Sequence, residues 1–80
     1  MTPPRLVLVE WLDSRQPDPG WQHTRDVSGG ACDCRSVGWL LKDGKKVKVL
    51  AMSAADDFDQ VSGVVRIPTR CVVKMTGLRA

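Results

Sequence analysis

The chain has 80 residues, 42% of them apolar, with 12 Lys and Arg against 9 Asp and Glu for a formal net charge of +3. Such a length holds one domain over residues 1–80, and its expected stability of about 4–12 kcal/mol leaves little core to give up to a deep catalytic cleft. No apolar run approaches the ~20 residues that span a bilayer, no apolar leader core follows Met1, which predicts a cytoplasmic protein, and the mixed charges argue against a strongly basic nucleic-acid binder.

In chain order, Arg5 to Ser14 reads as a first strand, with Leu6, Leu8 and Leu12 on one side and Val7, Val9 and Trp11 on the other. Gln16-Pro17-Asp18-Pro19-Gly20 interrupts regular structure, because proline has no amide to donate. Arg15 to about Asp33 is then a long connection, of the kind that is often functional. Trp21 is expected to fold back and anchor it on the core, and a short helical turn fits between His23 and Ser28.

Cys34 to Leu41 reads as a second strand, with Val37, Trp39 and Leu41 on one face. Lys42-Asp43-Gly44-Lys45 is a hairpin signal. A third strand follows from Lys46 to about Ser53, and an acidic loop from Ala54 to Gln60 is tethered by Phe58. Val61 to Ile67 forms a fourth strand. Pro68 to Cys71 suits a single 3-10 turn, since Pro68 cannot donate to a central ladder, and Val72 to Leu78 forms the last strand.

The sum is an all-β domain, a small five-stranded SH3-like barrel with a long loop after the first strand and a 3-10 turn before the last. Closure would hide the edges of so small a sheet. Its interior would use nearly all the apolar side chains.

The elements V-E-W-L-D-S (9–14), G-W (20–21), S-V-G-W-L (36–40), V-L-A-M-S (49–53) and V-V-R-I-P (64–68) resemble those of small bacteriophage and prophage accessory proteins of unassigned activity. The likeness runs from about Val7 to Leu78. The I-P turn before a final strand is also similar to the end of Sm-like and other SH3-like barrels. The Cys-Asp-Cys segment and Cys71 depart from the pattern. The resemblance implies an accessory protein that acts inside an infected cell by binding and modulating a host factor.

The candidates for chemistry are few. Cys32, Cys34 and Cys71 are an odd number, which favours reduced thiols over a disulfide set. Zinc held by Cys32, Cys34, His23 and Cys71 is the weak alternative, because C-x-C with a distant His and a distant Cys matches structural zinc poorly. His23 has no sequence-adjacent thiol partner for a nucleophilic pair, and no acyl-transfer pocket is legible. Asp56, Asp57 and Asp59 lack the order of a calcium loop and read as a solvated turn or as a docking patch for a basic partner.

The expectation is therefore a protein without enzymatic activity or cofactor. Its expected partner is a host protein, bound through Trp21, His23, Asp56, Asp57 and Phe58. The alternative is a nucleic-acid-binding barrel using Lys42, Lys45, Lys46, Lys48, Arg66 and Lys74, and a third reading is a self-assembling barrel joined through an edge strand.

Overall fold

The computed structural model describes residues 3–79. Five strands, β1 (Arg5–Asp13), β2 (Cys32–Asp43), β3 (Val47–Ala55), β4 (Gln60–Pro68) and β5 (Val72–Gly77), form one antiparallel sheet. They lie in the order β4-β3-β2-β1-β5. Two 3-10 turns, Thr24–Asp26 and Thr69–Cys71, fall in the two windows expected to hold them. Among the described residues no helix is long and apolar enough to cross a membrane.

β1 is an interior strand, pairing with β2 from Arg5↔Leu40 to Asp13↔Cys32 and with β5 from Val7↔Gly77 to Trp11↔Val72. Its alternation of Val7 and Val9 with longer side chains places both valines in the core. Leu40, Leu50 and Ile67 complete that cluster, and Trp11, Val65, Val72 and Met75 pack against it. The Trp11 indole N–H donates to Ser36 Oγ at 3.1 Å, which satisfies its one polar atom. On the other face Ala51 lies opposite Trp39, and Phe58 meets the Trp39 ring edge-on at 5.4 Å and 83°. Phe58 thus tethers the acidic turn, as the sequence suggests.

The β2–β3 turn is closed by the Gly44 amide, which donates to the Val47 carbonyl at 3.1 Å. The Gly44 carbonyl accepts from Lys48 Nζ and from Thr69 Oγ1, both at 3.0 Å, and the Thr69 amide donates to the Lys46 carbonyl at 2.9 Å. The 3-10 turn after Pro68 is therefore fastened to the hairpin at the far end of β3. The β3–β4 turn is sharper: Asp56, Asp57 and Phe58 are all left-handed, with φ of 52°, 55° and 70°.

The β2 face that carries Val37 is the outer one, since Val37 is 56% exposed while Gly38 and Leu40 are buried. At Gly38 an added Cβ would stand 2.8 Å from the Ala51 carbonyl oxygen, so β3 lies close to β2 there. One expectation is corrected: the barrel is not closed. No ladder joins β4 to β5, so both remain edges.

Nor does the interior use up the apolar side chains. Leu12, Trp21, Val27, Val37, Met52, Val61, Val64, Val73 and Leu78 are exposed. The radius of gyration is 16.2 Å and the extents are 55 × 22 × 21 Å. A compact chain of this length would have a radius of about 12 Å.

Candidate partner-binding site

The β1–β2 connection runs over residues 14–31, and every one of these residues is exposed. Its hydrogen bonds are local. Gln22 Nε2 donates to Asp18 Oδ2 at 3.4 Å, and the Asp26 and Val27 amides donate to the His23 and Thr24 carbonyls at 2.9 and 3.2 Å. Pro17 and Pro19 supply no amide to any ladder, and the chain bends at Pro19-Gly20, where Gly20 has φ of 77°.

The bend delivers Trp21 into solvent with its side chain fully exposed, at a relative exposure of 104%. This overturns the expected anchoring role: Trp21 does not fold back onto the core. The tryptophan that packs against the core is Trp11, whose indole N–H is held by Ser36. His23 follows at the entry to the first 3-10 turn and is exposed as well.

Asp56, Asp57 and Phe58 occupy a different place, the tip of the β3–β4 hairpin, where the Asp59 amide closes the turn on the Asp56 carbonyl at 3.0 Å. Both aspartates are exposed and Phe58 is half-buried on Trp39. The structure places Trp21 and His23 together on one loop and the acidic trio on another turn.

The lysine set is also divided. Lys42, Lys45 and Lys46 are exposed around the β2–β3 turn. Lys48 is half-buried and paired with Asp43, whose carboxyl is held below its ordinary range chiefly by that hydrogen bond. Lys74 lies on β5 opposite Glu10, and Glu10 in turn pairs with Arg35 at 3.5 Å. Arg66 lies opposite Val49 on β4. Two of the six cations thus face a carboxylate across the sheet or the turn.

Cys32 and Cys34 share one face of β2, with their sulfurs 3.8 Å apart and both half-buried. Cys71 is in the second 3-10 turn and His23 in the exposed loop. Among the described residues, no three of His, Cys, Asp and Glu gather into a metal-holding group, so the proposed zinc quartet does not assemble within one chain.

A groove of about 550 Å³ beside Cys34 is lined by Glu10, Trp11, Asp33, Arg35 and Val73. Burial pushes the Cys34 thiol up, reinforced by Cys32 and by the charges of Asp13 and Asp33. A thiol so placed is protonated at neutral pH and is a weak nucleophile.

Sequence reasoning missed the number of apolar side chains left outside, among them Met52 at 73% and Val73 at 67% exposed. Val73 lies on β5, a strand with one unpaired side, and Met52 lies on β3 beyond its last pairing with β2 at Trp39↔Ala51, neither of which alternation alone reveals. Comparison with known proteins finds no family model, no curated protein and no solved structure that matches the chain.

Proposed function

We propose that this chain is a non-catalytic binding module that engages a partner protein through the β1–β2 loop, with Trp21 as the anchoring side chain. The observation that carries the reading is the complete exposure of Trp21 on a loop that packs on nothing. Tryptophan is the residue most enriched among interface side chains that dominate binding energy. Left in water it contributes nothing to the fold.

The surface area supports the same reading. The chain exposes 6709 Å², whereas a compact protein of this mass exposes about 4,800 Å². The excess of roughly 1,900 Å² is larger than the ~800 Å² that one side of a standard interface buries. The resemblance to phage accessory proteins makes a host factor the natural partner.

Affinity capture with the wild type and Trp21→Ala in parallel tests the proposal. A polypeptide held by the wild type at 0.5 M salt should be lost with Trp21→Ala, with binding weakened about 30-fold or more. Unfolding of the two chains should differ by less than about 0.5 kcal/mol, because the indole buries no surface. Equal retention by both, or retention only of nuclease-sensitive material that falls steeply with salt, would overturn it in favour of phosphate binding through the lysines.

A second reading, self-assembly, is favoured by one observation: the unpaired outer edges of β4 and β5.

A further inference from the structure

We propose that Cys32 and Cys34 form half of a tetrathiolate site for a thiophilic divalent cation such as zinc, completed by the same two cysteines of a second copy of this chain.

The geometry begins in β2. Residues two apart on a strand face the same side, and Cys32 and Cys34 turn their sulfurs toward each other at 3.8 Å. A metal about 2.3 Å from each thiolate would subtend an S–metal–S angle of about 110° at that separation, the tetrahedral value that structural zinc adopts. The two thiols are pre-spaced as one edge of a tetrahedron without movement of the backbone. Both cysteines are half-buried, so their sulfurs are not sealed in the core.

The remaining corners do not come from the same chain. No third His, Cys, Asp or Glu joins the pair in a metal-holding group among the described residues. Two thiolates alone leave zinc short of the four N/S ligands that its structural sites use. A twofold axis supplies the missing pair with the same spacing, because an isologous contact presents the same patch twice. The pair sits at the start of β2, opposite Trp11 and Asp13 at the far end of β1, where the long loop begins. Asp13 lies opposite Cys32 and Asp33 stands between the two cysteines in sequence, so carboxylates adjoin the pair.

The step is an exchange of protons for metal with no change of oxidation state. Four thiols lose four protons to solvent as four metal–sulfur bonds form, so binding strengthens as pH rises.

Titration of the reduced, metal-free chain with Co²⁺ and then Zn²⁺ tests the proposal. Cobalt should give the intense visible bands of a tetrahedral thiolate site, saturating at about half an ion per chain. Sedimentation velocity should show a dimer that forms with Zn²⁺ and dissociates with a chelator. Cys32→Ser and Cys34→Ser should each abolish both signals while retaining the wild-type β circular dichroism, and Cys71→Ser should retain both. Saturation at one ion per chain with a monomer, absence of thiolate bands, or loss of the signals in Cys71→Ser would each overturn it.

Discussion

Asp43 and Lys48 show how a single pair sets a local pH response. Lys48 crosses the β2–β3 turn to hydrogen-bond the Asp43 carboxylate and the Gly44 carbonyl, and most of its side chain is out of solvent. The pairing lowers the carboxyl's affinity for protons in the folded chain relative to the unfolded one. Its stabilisation is therefore present above the ordinary carboxylate range and is lost as pH falls through the depressed folded value. Asp43→Asn should flatten the acid limb of the stability–pH curve, measured by urea midpoints from neutral pH down through the carboxylate range. An unchanged acid limb would mean that the turn is held by the Thr69 bonds alone. The Glu10–Arg35 pair is more exposed and contributes little by comparison.

Gly38 governs an element rather than a site. β2 and β3 approach so closely there that a Cβ would meet the Ala51 carbonyl oxygen at 2.8 Å and the Leu50 Cβ at 3.3 Å. Gly38→Ala should destabilise the fold by about 1–3 kcal/mol, since the neighbour is backbone and cannot rotate away; a chemical-denaturation midpoint equal to the wild type would contradict this. The strands themselves were legible, because alternating Val and Leu runs bounded by Pro-Gly, Asp-Gly and Ile-Pro punctuation leave few other readings. Phe58 was legible as a tether for the same reason, being the lone aromatic in an acidic turn. Trp21 was misread, because a tryptophan in a long loop suggests an anchor, whereas the structure leaves it fully exposed and packs Trp11 against the core instead. The pairing of the two sulfurs at 3.8 Å was outside the reach of spacing alone, which fixes their common face and not their rotamers.

At the level of the whole molecule, the departure from a closed barrel has the largest effect. A closed sheet would have hidden its backbone donors and acceptors, whereas β4 and β5 each leave one side unpaired. β4 carries Val61 and Val64 exposed on this edge strand with Arg66 as its one charge. Long edges with little charge invite pairing with another chain. Metal-free wild type should therefore show weak, concentration-dependent association by sedimentation at two loadings, and Val64→Lys should reduce it. Association unaffected by that substitution would place the contact elsewhere. Closure was not legible beforehand because it depends on whether the ends of an already formed sheet meet, a property that no local run of residues encodes.

The register of β1 has a consequence for how the sheet comes into being. Val7 stands beside Gly77 and Leu8 beside Thr76, so the first of the five strands has to wait for the fifth before its second flank is covered. A nascent chain emerging from the ribosome can zip the hairpins of β2, β3 and β4 as they appear, yet Val9 acquires its Met75 neighbour only after all three of those strands have been made. Contacts of such long sequence separation slow folding. The last strand acts as a latch on a structure that stays ajar until the end.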